Sequence, residues 1–159
     1  MRRHLLIYFG LGFISTLAGC ATQKAVTSPS FGWVAYTSFK QELTQNPERP
    51  EYEHHLSSEW LAMLEAAKSI EEKQEILQFA AYPRWLSRTG TYYEKQAANG
   101  LCLSVNGVVY DGSPGTLAIQ YVPEGDRLKA VKIHYQYWET EEEYPIEARC
   151  PEELGLALP

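Results

Sequence analysis

The order of hydrophobic and polar positions divides the chain into a helical part and a strand part. Residues 31–45 and 51–68 each place apolar side chains every three or four positions, which is the period of an amphipathic helix. Ser69 and Glu72 have the spacing of a capping box, and they predict a further helix that begins at residue 70 and ends near Pro83. We therefore expect two to three helices in the first half of the folded chain.

After Gly90 the period changes from 3.6 to 2, and strand-forming residues take over. Asn106-Gly107 stands between two apolar runs and is typical of a tight hairpin turn. Helices followed by strands indicate an α+β fold, with the helices on one face of an antiparallel sheet of four to five strands. A sheet curved like a cone is an alternative form of this arrangement. The predicted strands cover residues 91–96, 101–105, 108–110, 116–122 and 128–138.

The first 20 residues have the layout of a signal peptide. Arg2 and Arg3 precede an apolar run over residues 5–14, and small residues lead to Cys20. An uncleaved anchor is the weaker alternative, because the apolar run is too short to cross a bilayer as a settled helix. Residues 17–20, Leu-Ala-Gly-Cys, resemble the lipobox of bacterial lipoproteins.

This resemblance implies that residues 1–19 are removed and that Cys20 carries the lipid that holds the protein on a membrane. Residues 20–30 would then be a lipidated flexible tether, and residues 31–159 a single α+β domain facing an aqueous envelope compartment. In the lipoprotein pattern Ala21, after the cysteine, favours the outer membrane of a Gram-negative host, with the domain facing the periplasm.

Charge argues against a nucleic-acid partner. The 159-residue chain carries a net charge of −6, and this becomes −8 once Arg2 and Arg3 are removed with the signal peptide. An acidic chain of this kind repels a phosphate backbone.

With Cys20 assigned to lipid, Cys102 and Cys150 remain, which is an even number in an oxidising compartment. A Cys102–Cys150 disulfide is the favoured prediction. Two buried thiols or a pair of metal ligands stay open as alternatives.

Candidate chemistry is sparse, and the sequence assigns no catalytic residue, cofactor or metal site. Glu51, His55 and Glu59 are spaced by four on a predicted helix, yet a solvated helix face explains them better than a metal site, since no fourth ligand is evident. His134, on the polar side of the last predicted strand, lacks an accompanying nucleophile motif.

Aromatic content is the most unusual feature, with 11 Tyr and 4 Trp. Tyrosine and tryptophan on a strand face that helices do not cover either form a binding surface or stabilise the sheet as cross-strand pairs. We expect Arg88, Tyr92, His134 and Trp138 to contribute to a surface for a ligand or a partner.

Two functions follow from this sequence. The preferred one is a non-enzymatic interaction or assembly module in the cell envelope that presents its sheet to a protein partner. The alternative is a small-ligand-binding or hydrolytic domain with a pocket between helices and curved sheet, since the element order is similar to that of cone-shaped nuclear transport factor 2-like folds.

Overall fold

The computed structural model describes residues 31–155. The predicted signal peptide, the predicted lipidation of Cys20 and the predicted tether over residues 20–30 all concern positions outside the described residues. Among the residues that are described, no helix is long and apolar enough to cross a membrane.

The first and third helices begin and end where the sequence pattern places them. Helix α1 covers Phe31–Gln45, and it buries Tyr36, Phe39 and Leu43 at helical spacing. Helix α3 covers Ile70–Ala80 and is capped as predicted, because the Ser69 hydroxyl accepts a hydrogen bond from the Glu72 N–H at 3.1 Å.

The predicted helix over residues 51–68 is shorter in the structure. A 3₁₀ turn covers Tyr52–His54, and helix α2 covers only Ser58–Ala66. Between them the backbone pairs with the sheet: the Ser57 N–H donates to the Ala130 carbonyl at 3.0 Å, and the Ala130 N–H donates to the His55 carbonyl at 2.9 Å. These bonds take residues 55–57 out of helical conformation.

Four antiparallel strands form the sheet in the order β1-β2-β3-β4. Their consecutive order makes the sheet a simple meander, and together with the helices it confirms the predicted α+β class. The bounds are Leu86–Ala97 for β1, Gly100–Val109 for β2, Pro114–Glu124 for β3 and Arg127–Tyr137 for β4.

The predicted hairpin turn at Asn106-Gly107 is wrong, because both residues lie inside β2. The first hairpin instead turns at residues 98–99, next to Gly100, whose φ of 150° favours glycine. Gly107 serves a different purpose: an added Cβ would lie 2.2 Å from the Arg88 carbonyl oxygen of the neighbouring strand. Its lack of a side chain allows this close approach.

The helices pack on one face of the sheet and form one hydrophobic core with it. Leu103, Ile119 and Ile133 are cross-strand neighbours in the middle of that face and are fully buried. The core also contains the hydroxyls of Tyr82 and Tyr121, which are hydrogen-bonded to each other at 2.9 Å. This pairing satisfies two polar groups that burial would otherwise make costly.

The opposite face of β2 is covered by residues 139–155, which we call the C-terminal strap. The sulfurs of Cys102 and Cys150 are in disulfide contact, as the sequence predicts. Beside them, the Ser104 hydroxyl accepts a hydrogen bond from the Arg149 N–H at 2.8 Å. At its C-terminal end the strap contains helix α4, Pro151–Leu154, whose Glu152 is paired with Lys132 of β4 at 2.6 Å.

Asn106 is the centre of a buried polar network below this strap. Its amide nitrogen donates to the Thr91 hydroxyl and to the Pro145 carbonyl, each at 3.0 Å. Its amide oxygen accepts from the Thr116 hydroxyl at 2.7 Å, and that hydroxyl in turn accepts from the Trp138 indole at 2.8 Å. The network joins β1, β2 and β3 to the strap.

Candidate functional site

An aromatic groove of about 920 Å³ opens where the α1–α2 connection, α3 and the far end of β4 meet. A volume of this size lies within the range of ligand-binding clefts. We call this feature the aromatic groove. Its lining residues are Pro47, Glu48, Pro50, Tyr52, Gln74, Leu77, Gln78, Phe79, Ala81, Arg84, Trp85, Tyr110, Tyr135 and Tyr137.

Local structure places the aromatic rings of the groove. Pro83 lies in the 3₁₀ turn Tyr82–Arg84 that follows α3, and this turn directs Trp85 towards β4. The Trp85 ring stands edge-on to Tyr135 and to Tyr137, with centroids 5.2 Å apart in both pairs. The three rings therefore form ridges and slots instead of a flat platform.

The floor of the groove is held by a second contact between α3 and β4. The Tyr135 hydroxyl donates to the Phe79 carbonyl at 2.7 Å, and the two rings also meet edge to face. This bond satisfies one of the last carbonyls of α3, which has no partner within the helix. The groove is thus built on a strand and a helix end that are fixed to each other.

The rim of the groove exposes large aromatic side chains. Tyr110 is 75% exposed, Tyr137 is 50% exposed, and Phe79 is also exposed. Aromatic residues that are exposed next to one another are typical of binding surfaces.

Two charges of opposite sign accompany the rings. Glu48 lies on the rim, and Arg84 lies close to Tyr52. The Arg84 guanidinium donates to the carbonyls of Leu43 and Pro47, at 2.8 and 3.3 Å, and so ties the end of α1 to the groove wall. The charged groups in the lining balance each other.

Two tyrosines of the groove, Tyr52 and Tyr135, act as neutral hydroxyls. Burial raises the pKa of Tyr135 far above its ordinary value. Burial also raises the pKa of Tyr52, although the nearby Arg84 guanidinium opposes the shift. Both side chains keep their proton at neutral pH, so they can donate hydrogen bonds but cannot act as bases.

The four residues expected at a ligand or partner surface do not lie in this groove. Tyr92 is on β1, where its ring stacks on that of Trp33 of α1 at 4.1 Å. Arg88 is exposed, 3.9 Å from a carboxylate oxygen of Glu141 in the strap.

His134 and Trp138 lie on the strap side of the sheet. His134 is half-buried in β4, and a Cβ added to Gly155 of the strap would lie 3.3 Å from its ring. Trp138 contributes its indole N–H to the buried Asn106 network. Arg88, His134 and Trp138 therefore border the strap, whereas Tyr92 packs against α1.

The sequence interpretation did not assign the groove residues to the expected surface, although the pattern of β4 contains an indication of it. Tyr135 and Tyr137 alternate with polar residues and continue the core face of β4 beyond Ile133. When the core-facing side chains of a strand become entirely aromatic towards its end, this indicates that other elements cover that end of the sheet only in part. Trp85 and Phe79 complete that face from the other side.

Glu51, His55 and Glu59 are not on one helical face, because no single helix spans them. His55 is buried, and its Nε2 is 2.8 Å from Oε2 of Glu42. Burial lowers the pKa of His55, while its hydrogen bond and charge interaction with Glu42 oppose the shift. Burial raises the pKa of Glu42, but hydrogen bonds from the Glu51 N–H and His55 outweigh this, and the net pKa is lowered.

Comparison with protein-family models, with characterised proteins and with solved structures finds no significant match to this chain. Any functional conclusion therefore depends on the residues and geometry of the chain itself.

Proposed function

We propose that this protein is a non-enzymatic lipoprotein of the bacterial cell envelope, and that its aromatic groove binds an extended, uncharged segment of a partner protein. The observation that carries the proposal is the exposure of Tyr110, Tyr137 and Phe79 around the half-buried ring of Trp85. The lipobox-like segment at residues 17–20 supports anchoring through Cys20, and we assign the anchor to the outer membrane, with the domain facing the periplasm.

 Ala21, directly after that cysteine, agrees with this placement, because an aspartate there would favour retention at the inner membrane in the lipoprotein pattern.

The arrangement of the rings favours an extended peptide. The rings of Tyr135 and Tyr137 are nearly perpendicular to that of Trp85, which gives the groove an uneven surface that side chains of a partner can enter. Extended proline-containing segments enter aromatic grooves of this kind because their backbone is already ordered and lacks internal hydrogen bonds.

Hydrogen-bonding groups in the groove suit the same partner. Within residues 31–155 the indole N–H of Trp85 and the hydroxyls of Tyr110 and Tyr137 have no hydrogen-bond acceptor. These groups are available to donate to the carbonyls of an extended backbone, which are free to accept because such a backbone makes no internal hydrogen bonds.

Charge favours an uncharged segment. Glu48 and Arg84 balance each other in the groove, whereas the mature chain as a whole is acidic. A strongly acidic partner would be repelled by the rest of the surface, and a strongly basic one would find no excess of carboxylates in the lining.

The lining also argues for binding over hydrolysis. It contains no serine, threonine, cysteine or histidine that could serve as a nucleophile or as its base. The groove volume remains compatible with a small ligand, so a small-molecule occupant is the outcome that the experiment must separate from a protein partner.

The test is photo-crosslinking in cells with a benzophenone amino acid at Tyr110, which is 75% exposed on the groove rim. The matched control carries the same amino acid at Ile146, which is 85% exposed on the strap. We expect one dominant protein adduct from position 110 and none from position 146. Mass spectrometry of the adduct should place the linkage in an extended, uncharged segment.

A second variant measures the contribution of the rings. Tyr137→Ala removes a half-exposed side chain that the core does not need, and we expect it to weaken the adduct from position 110 about tenfold. Equal adducts from positions 110 and 146, or no protein adduct from a folded chain, would overturn the proposal. In the second case a small ligand becomes the better occupant.

A further inference from the structure

A compact group of metal-binding side chains lies behind the wall of the aromatic groove. Glu42 comes from the last turns of α1, Glu51 directly precedes the 3₁₀ turn in the α1–α2 connection, and His54 is the last residue of that turn. One ligand atom from each of the three lies within 4.8 Å of the other two. We call this group the Glu42–Glu51–His54 cluster.

Backbone and side-chain contacts hold the cluster together. Nδ1 of His54 is 2.6 Å from Oε2 of Glu51, which is three residues earlier in the chain. The Glu51 N–H donates to Oε1 of Glu42 and brings the second carboxylate to the first. Two carboxylates and an imidazole, contributed by α1 and by the α1–α2 connection, therefore lie close together.

A buried histidine fixes the orientation of Glu42. His55 is only 7% exposed and stacks on the Phe39 ring at 4.3 Å. Its Nε2 is 2.8 Å from Oε2 of Glu42, so the carboxylate is held from the core side. Carboxylates that bind metals are commonly held by an outer hydrogen bond of this kind, which sets the cluster apart from an exposed group of acidic residues.

We propose that Glu42, Glu51 and His54 bind one divalent transition-metal ion of the zinc class. Imidazole nitrogen together with carboxylate oxygen is a donor set that suits zinc, cobalt and nickel better than magnesium. Tetrahedral zinc places its ligand atoms about 3.4 Å apart, and the three candidate ligand atoms here lie within 4.8 Å of one another. Three protein ligands leave a fourth position for water.

Metal binding has a structural consequence for the groove. Pro47, Pro50 and Tyr52 line the aromatic groove, and the cluster lies on the same connection. An ion bridging Glu42 to this connection would fix the wall against the end of α1. The metal site nevertheless stands on its own geometry and does not depend on what the groove binds.

The experiment is calorimetric titration of the purified, metal-stripped full chain with zinc chloride alone. We expect a single binding event with a stoichiometry of one. His54→Ala and Glu51→Gln should each weaken zinc affinity more than tenfold, because each removes one of three ligands. Both side chains are substantially exposed, so neither change should unfold the chain, and circular dichroism checks this.

Glu53→Gln is the matched control, since Glu53 lies in the same 3₁₀ turn, is exposed and is outside the cluster. It should bind zinc like the unchanged chain. A visible absorption band of tetrahedral cobalt in the unchanged chain, lost in His54→Ala, gives an independent readout. Absence of binding by the unchanged chain, or binding that survives both His54→Ala and Glu51→Gln, would overturn the metal site without affecting the groove proposal.

Discussion

Replacing Asn106 with alanine tests the buried network that joins the sheet to the C-terminal strap. Asn106 is 1% exposed and makes three side-chain hydrogen bonds, with Thr91, Pro145 and Thr116. A net contribution of about 1 kcal/mol for each bond predicts a loss of about 3 kcal/mol in the free energy of unfolding. The loss is large for a domain of this size, whose total stability is expected to be about 5–15 kcal/mol.

Urea unfolding of the purified chain with its disulfide intact, followed by circular dichroism, measures this loss. Thr91→Ala is the control, because Thr91 is exposed and its hydroxyl makes only one bond to the network, so we expect a cost of about 1 kcal/mol or less. The double variant should show that the two losses are not additive.

The size of the Asn106→Ala effect decides between two structures. An asparagine at the tip of a solvated hairpin contributes only a few tenths of a kcal/mol through surface contacts. A loss below about 1 kcal/mol with an unchanged urea dependence would therefore refute the buried network and restore the hairpin turn that the Asn106-Gly107 pair suggests.

The remaining predictions concern the cysteines. Non-reducing and reducing peptide maps of the protein isolated from cells should differ by one Cys102–Cys150 link, and replacing both with alanine should cost up to about 4 kcal/mol, given a separation of 48 residues. Alkylatable thiols at both positions would contradict this. Cys20→Ser should abolish incorporation of labelled palmitate, and unchanged incorporation would remove the lipoprotein assignment.

Local patterns were sufficient for the fold class, for both ends of α1 and for the start of α3. Helix α1 has the bounds that its four-residue apolar spacing predicts, and α3 begins at the capping serine, Ser69. Both features depend on residues within one or two helical turns. Such short-range information can be read from the local sequence, because it does not depend on contacts with distant residues.

Long-range pairing explains where the prediction failed. The helix expected from residue 51 starts only at Ser58, because Leu56 and its neighbours pair with Ala130, far along the chain. Asn106-Gly107 has the composition of a turn, yet its strand continues because Gly107 allows a close approach of β1 and Asn106 finds partners on three other segments. The residues that pair with Leu56 and with Asn106 lie in other segments of the chain, so the local sequence does not reveal them.

The strap also explains how β2 buries polar side chains on the face away from the helices. Ser104 and Asn106 alternate with buried apolar residues, a pattern that ordinarily indicates a solvated sheet face. Both side chains are buried in the structure, because Arg149 and Pro145 of the strap supply backbone partners for them. Polar side chains can satisfy a buried face when a following segment of the same chain crosses it.

Because the strap covers one face of β2, the exposed aromatic surface lies at a different part of the sheet from the one that the sequence predicts. With the strap across β2, Trp138 serves the internal network, so its indole is not available to bind a partner. The helices cover the other face only as far as Phe79, and Tyr137 and Tyr110 extend past that limit. A partner that requires exposed aromatic rings therefore finds them at the groove, at the end of the sheet where neither the helices nor the strap cover them.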